Sequence, residues 1–226
     1  MILQFTIFTA DCVGSRKNCL YPNRQLITDK EKLRAAVAWD HVCAEYKGAY
    51  RSNANFVWSD VICMDVDNDH SDNPEDWVIT ESLGPVFGDL DYALVFSRNH
   101  LKEKDGRSAR PRFHLYFRIR PVTDPLRYAS LKQMVFQNFR FFDSHALDAG
   151  RFLFATPNGE VIWHEGRTTI DEVLVPARLG QTIPEGRRNA TLSRIAGRIV
   201  KRYGFNEDSF EISTFLPPPR LQVPRL

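Results

Sequence analysis

One stretch restricts this chain more than any other: Val61-Ile62-Cys63-Met64-Asp65-Val66-Asp67-Asn68-Asp69-His70. Four apolar residues run directly into two carboxylates spaced two apart. The run reads as a strand, and strand side chains alternate faces with a period of two. Asp65 and Asp67 therefore share one face, and Val66 points the other way, into the core. Two carboxylates on one face repel unless positive charge sits between them. A divalent cation meets that need, and oxygen ligands suit Mg²⁺ or Mn²⁺. Removing both acids should then leave the metal-free fold intact, or more stable. The plain alternative is a strand that ends in a solvated polar turn. An EF-hand spacing is also present at Asp65, Asp67, Asp69, Ser71, Asn73 and Asp76. It carries His70 where the sharp turn requires Gly, and a strand rather than a helix precedes it.

Composition narrows the setting. The chain has 226 residues, of which 43% are hydrophobic and 16 are Phe, enough to build one sizeable core with a small appendage. No window approaches an 18-residue apolar run, so no membrane span is expected. Met1-Ile2-Leu3-Gln4-Phe5 lacks the basic start of a signal peptide. Cys12, Cys19, Cys43 and Cys63 form no CxxC pair, and the expectation is a cytoplasmic protein with reduced thiols. A zinc site from Cys12, Cys19 and His41 or Cys43 has only weak spacing support. Charge is segregated: residues 60–91 hold ten acids and no Lys or Arg, and residues 98–120 hold eight Lys or Arg against Glu103 and Asp105. An acidic block followed by a basic one fits a site with metal on one side and phosphates on the other. It also fits two solvated surfaces of opposite sign.

Along the chain, residues 2–8 read as a strand and 9–25 as a loop. A helix capped by Thr28 or Asp29 is expected over residues 30–46, closed by Gly48. Residues 56–58 and 61–66 read as strand, bent between them. Pro74 marks a short capped helix start, and Gly84, Pro85 and Gly88 read as breakers. A short strand over 92–96 runs into Ser97-Arg98-Asn99-His100, and a charged loop follows over 101–110. Residues 112–120 alternate clearly, with Phe113, Leu115 and Phe117 on one face and Arg112, His114, Tyr116 and Arg118 on the other, as in a half-exposed strand. A helix is expected over 126–139, and short strands over 152–154 and 161–163 flank a Pro157-Asn158-Gly159 turn. A linker over 179–186 precedes a helix over 187–203. No phosphate-binding Gly-rich motif appears, so ATP-driven unwinding is not encoded here.

Two further elements carry chemistry. Arg112 and His114 share a strand face, and guanidinium and imidazole both donate to phosphate oxygens. Asp143-Ser144-His145-Ala146-Leu147-Asp148-Ala149-Gly150-Arg151 supplies the third acid that a two-metal site needs. Asp148 beside a strand is the first choice, with Arg151 to brace it or reach a phosphate, and Asp143 is the alternative.

These elements, in this order, resemble the archaeo-eukaryotic primase superfamily, in its primase–polymerase branch found on plasmids, phages and integrative elements. Ile62-Cys63-Met64-Asp65-Val66-Asp67 matches the apolar strand ending in D-h-D. Arg112-Phe113-His114 matches the small-x-His element, with Arg where Ser is usual. Asp148 matches the third acid, and the turn from Ser97 to His100 has a counterpart in mobile-element members. The likeness spans residues 1–175. Gly186-Arg187-Arg188-Asn189-Ala190-Thr191-Leu192 resembles the start of the helical domain that follows.

The resemblance implies an α/β (α+β) primase–polymerase fold, with an N-terminal α/β module packed on an RRM-like module and a cleft between. It implies a catalytic domain over 1–178, a linker over 179–186, and the truncated start of a helical domain over 187–226. It further implies a nucleotidyltransferase making or extending primers on single-stranded DNA from dNTP or NTP. Asp65, Asp67 and Asp148 would hold two Mg²⁺ or Mn²⁺ ions. His114, Arg112, Ser97, Arg98, His100, Lys102 and Arg151 would contact the nucleotide. Arg51, Asn53, Arg194, Arg198 and Arg202 would contact nucleic acid, the last three as a basic stripe on the 187–203 helix. A replicative helicase, in trans or in a missing C-terminal region, is the implied partner, and no membrane is. The rival readings are a DNA-binding replication initiator without synthesis and a metal-dependent nuclease. The basic block near His114 speaks against the nuclease, which needs no triphosphate grip.

Overall fold

The computed structural model describes residues 3–174. The 187–203 helix, with Arg194, Arg198 and Arg202, and the linker before it lie outside them. The first strands are β1 (Phe5–Thr9) and β2 (Asn23–Ile27), followed by helix α1 (Lys30–Ala36), β3 (His41–Val42) and β4 (Glu45–Tyr46). Next come β5 (Phe56–Val66), α2 (Thr80–Phe87), β6 (Tyr92–Phe96), the pair β7 (Lys102–Lys104) and β8 (Arg107–Arg110), and β9 (Phe113–Val122). The described residues close with α3 (Pro125–Asn138), β10 (Phe152–Leu153), β11 (Val161–His164) and α4 (Ile170–Leu174). This is a mixed α/β architecture. Among the described residues, no helix is long and apolar enough to cross a membrane.

A five-stranded sheet in the order β11-β6-β9-β5-β4 forms the central layer, and its strand pairs are antiparallel. β9 lies between β5 and β6, which α2 connects, so these elements make a split β–α–β unit. β11 is added beside β6. A smaller sheet, β10-β3-β1-β2, packs against one face of the larger one. Phe5 and Ile7 of β1 meet Val61 and Cys63 of β5, Ala93 and Val95 of β6, and Tyr116 of β9 there. Phe5 stacks on Tyr116 at 5.9 Å between ring centroids. The other face carries Ile62, Met64, Leu94, Leu115 and Phe117, covered by Leu83 and Phe87 of α2 and Ile170 and Leu174 of α4. Phe87 also packs edge-on against Phe117 and Phe139, at 5.2 and 5.3 Å, so the Phe-rich composition is spent largely on this side.

Several expected elements change. The helix over 30–46 stops at Ala36, although Asp29 caps it as expected by accepting from the Glu31 and Lys32 N–H groups. Asp40 ends it. Its buried carboxylate accepts from the N–H groups of Gly14, Ser15 and Ala155 at 2.8–2.9 Å, which turns the chain so that Val42 pairs with both Phe8 and Phe152. The loop over 9–25 yields β2 at its end. Gly84 and Pro85 do not break α2, because burial of Leu83 and Phe87 outweighs their poor helix propensity. The charged loop over 101–110 is a hairpin: Asp105 and Gly106 both have positive φ, +52° and +76°, as a two-residue Asp-Gly turn requires. β10 and β11 do not pair around the Pro157-Asn158-Gly159 turn but join different sheets. The polar face of β9 is exposed only in part: Tyr116 is fully buried beneath the smaller sheet, as is Arg112 just before the strand beneath the hairpin, while His114 and Arg118 are partly exposed and Arg120 is exposed.

Candidate active site

The registered pairing of β5 with β9 sets out the site. Cys63 lies opposite Tyr116, and Asp65 opposite His114. β6 flanks them with Ala93 beside Tyr116 and Val95 beside His114. Cys63, Asp65, His114 and Tyr116 thus share the face turned towards the smaller sheet. At the Cys63 end this face is apolar and closed. At the Asp65 end the strand runs out of its partner sheet, and polar groups take over.

Asp65 is 3% exposed. His114 Nδ1 donates to its Oδ1 at 2.7 Å, and Arg151 Nη2 donates to its Oδ2 at 2.5 Å. Burial alone would raise the Asp65 carboxyl, but His114, Arg151 and the buried Lys132 outweigh it and hold the group well below the usual carboxylate range. Asp67 is half-buried, with Lys104 Nζ 3.3 Å from Oδ2 and Arg112 Nε 3.9 Å from Oδ1. The positive charge demanded by two carboxylates on one face is therefore supplied by the chain itself. The segregated blocks meet in the same way. Arg110 donates to Asp72 Oδ1 at 2.7 Å, Arg107 and Arg110 lie 3.8 Å from Asp69, and Arg118 donates to Asp91 at 2.7 Å. They neutralise each other across the fold instead of forming two separate surfaces.

The loop after α3 reaches the outer edge of β5, which β4 covers only near Phe56 and Trp58. Tyr128 Oη donates to the Val61 carbonyl at 3.0 Å, and the Asp143 N–H donates to the Asp65 carbonyl at 2.9 Å. Asp143 is thus tied by its backbone to Asp65, while its carboxylate accepts from the N–H and Nδ1 of His145, both at 2.8 Å. Asp148 is exposed, and its Oδ1 accepts from the Gly150 N–H at 2.6 Å. Asp148, Lys132, Cys63 and Arg151 line one small cavity.

The other expected nucleotide contacts gather at the same sheet end, in varied states. The Ser97 N–H donates to the Arg112 carbonyl at 2.9 Å. Arg98 is exposed and lies over the Phe154 ring at 4.0 Å. His100 Nδ1 accepts from the Arg112 N–H at 3.2 Å, and burial lowers the pKa of its ring. Lys102 is exposed, with Nζ on the Arg98 carbonyl. Arg112 is enclosed: Nη1 donates to the Asn99 and Lys102 carbonyls, at 3.3 and 2.8 Å. Nη1 thus ties it to the hairpin, while Nε and Nη2, 3.9 Å from Asp67 and 3.7 Å from Asp69, make no hydrogen bond. Arg51 donates to the Gly150 carbonyl at 2.8 Å and covers the Phe152 ring. Asn53 packs so tightly on Gly150 that a Cβ there would stand 2.9 Å from its Oδ1.

Residues passed over in the sequence complete the site. Cys63 has the same strand parity as Asp65 and Asp67, a signal masked by its place in an apolar run. His41 is buried between the sheets. Its Nδ1 lies 2.9 Å from the Trp39 carbonyl, which can only accept, so Nε2 accepts from Tyr116 Oη at 2.7 Å. His41 is therefore no ligand for a zinc site with Cys12 and Cys19. The EF-hand reading fails because Asp65 lies within a strand and Asp69 pairs with arginines. Among the described residues, one group of three ligand types converges: Cys63, Asp65 and His114 each offer an atom within 4.8 Å of the others. The arrangement can hold a metal ion.

No protein-family profile matches the chain, and no curated protein matches it. Among solved structures, the chain is similar to the archaeo-eukaryotic primase domain of the primase–polymerase of cyanophage S-2L. The two share 10% identity with a TM-score of 0.41, over 76% of this chain and 88% of that one.

Proposed function

We propose that the chain is a primase–polymerase that joins nucleotides on a single-stranded DNA template, using two Mg²⁺ or Mn²⁺ ions. The observation that carries this reading is the cross-strand pair Asp65–His114, with Asp67 next on the same face and the Ser97–Lys102 turn at the same sheet end. It brings the first two motifs of the sequence resemblance and the Ser97–His100 turn to one place. Asp65 and Asp67 provide hard oxygen donors, and the protein cations now balancing them suit a face that shares its charge with bound ions. The loop over 143–148 supplies the third carboxylate: Asp148 is open to solvent, and Asp143 is anchored to Asp65. Bound ions supply charge neutralisation at the triphosphate and activation of the attacking 3′-hydroxyl. Lys104, His114 and Arg151, freed from the carboxylates, become donors for phosphate oxygens, with the exposed Arg98 and Lys102 at the rim. Arg112 holds the hairpin in place. Arg51 and Asn53 hold the Gly150 loop and, with the basic stripe over 187–203, serve the nucleic acid.

The test is primer-free synthesis on single-stranded DNA with labelled nucleotides and either metal. Wild type should synthesise, and Asp67→Ala should not. His114→Ala should weaken metal-dependent binding of every nucleoside triphosphate by roughly ten- to hundred-fold, the cost of a charge-assisted contact. Folded wild type that binds template but neither triphosphate nor metal would replace this reading with that of a non-catalytic initiator.

A further inference from the structure

A primase–polymerase site of this kind needs oxygen donors, yet the convergent ligand group contains a thiol. From Cys63, Asp65 and His114 we infer a binding site for a thiophilic divalent cation, Zn²⁺ or Co²⁺ in class, that shares Asp65 with the proposed catalytic ions. The inference goes beyond the polymerase reading and stands on geometry alone.

The three donors are sulfur, nitrogen and oxygen, the mixture that Zn²⁺ and Co²⁺ take in tetrahedral sites and that Mg²⁺ does not. They come from positions fixed by sheet register. Cys63 and Asp65 are two apart on β5, and His114 is the direct cross-strand partner of Asp65. All three ligand atoms already lie within 4.8 Å of one another. Tetrahedral ligands at ~2.0–2.3 Å from a zinc stand ~3.3–3.6 Å apart, so small side-chain rotations suffice. An ion would replace the proton that His114 Nδ1 shares with Asp65 Oδ1, now 2.7 Å apart. Arg151 holds the other oxygen, Oδ2, in the metal-free chain, and that oxygen is the one left for the catalytic ions once Arg151 turns to a phosphate. Cys63 and Asp65 are each 3% exposed, which excludes competing water ligands, and His114 is the more open side of the site. The Cys63 thiol also neighbours the buried Cys43 thiol, which lies outside the convergent group. Two cations oppose the ion: Arg151, on Asp65, and Lys132, buried against Cys63 and Asp65. The presence of Lys132 makes a further expectation, that neutralising it tightens binding.

The experiment is titration of the apo full-length chain with Co²⁺, read by sulfur-to-cobalt charge-transfer absorption and tetrahedral d–d bands, followed by competition with Zn²⁺ and with excess Mg²⁺. Wild type should bind one Co²⁺ with a thiolate band, displaced by Zn²⁺ and retained in Mg²⁺. Cys63→Ser and Cys63→Ala should lose the band and bind Zn²⁺ roughly 100-fold or more weakly, above the ten- to hundred-fold lost with a mere outer partner. Lys132→Met should bind more tightly than wild type. Circular dichroism confirms which variants are folded. No thiolate band in folded wild type, or an unchanged band in a folded Cys63 variant, overturns the inference. Synthesis without the band defeats this inference alone, and the band without synthesis defeats the polymerase reading alone.

Discussion

Asp65→Asn is the most informative single change, because the structure and the strand pattern expect opposite signs. From spacing alone, losing a carboxylate beside Asp67 relieves repulsion and should be harmless or stabilising. In the folded chain, Asp65 is buried and accepts from both His114 and Arg151. Each charge-assisted hydrogen bond is worth ~1.5–3 kcal/mol. The Arg151 side chain is 37% exposed and can partly rehydrate once released, whereas His114 is mostly enclosed. The net loss should be about 3 kcal/mol, near the lower end of the cost of breaking a buried pair. With a urea slope of about 2 kcal/mol/M, the unfolding midpoint should fall by ~1.5 M at pH 7. The pH dependence checks the cause. The folded-state pKa of Asp65 is depressed, so its stabilisation is present above the unfolded-state value of about 3.9 and declines as pH falls below it. At pH 3 the gap between wild type and variant should be narrower by about 1 kcal/mol. Equal midpoints at pH 7, or a gap that does not shrink with acid, would refute the account of Asp65 as an ion-paired core group.

Two other outcomes are expected. Burial pushes His41 down to about 4 from an ordinary 6.5, so the stability its neutral ring contributes is complete above pH 6.5 and is lost progressively towards pH 4. That amounts to ~3 kcal/mol, and the decline should be missing from His41→Gln in urea titrations at a series of pH values. Gly166 has no room for a side chain, since a Cβ would meet the Asp89 carbonyl oxygen at 2.2 Å and the Asp91 nitrogen at 2.5 Å. Gly166→Ala must push the two backbones apart at the entry to β6, costing about 1–3 kcal/mol, and an unaltered melting temperature would contradict that contact.

Local pattern alone marked the stretches of this protein that depend on near neighbours. The apolar run before Asp65 is β5, the alternation over 112–120 is β9, the Asp29 cap starts α1, and the stretch over 126–139 is α3. Strand parity also placed Asp65 and Asp67 on one face. What the sequence could not decide is what lies opposite that face, because it depends on contacts between residues far apart in the chain. The polar face of β9 read as half-exposed along its length, but a second sheet built from β1, β2, β3 and β10 buries its centre at Tyr116. The helix over 30–46 was cut short by Asp40, whose partners Gly14, Ser15 and Ala155 come from distant loops. The opposed charge blocks read as a metal side and a phosphate side, or as two solvated surfaces, and in the fold the 102–110 hairpin lays Lys104, Arg107 and Arg110 onto Asp67, Asp69 and Asp72. A carboxylate pair carries no mark in sequence of whether metal or protein cations will balance it. That depends on register, and register brought His114 opposite Asp65, Arg151 onto its other oxygen, and the thiol of Cys63 alongside.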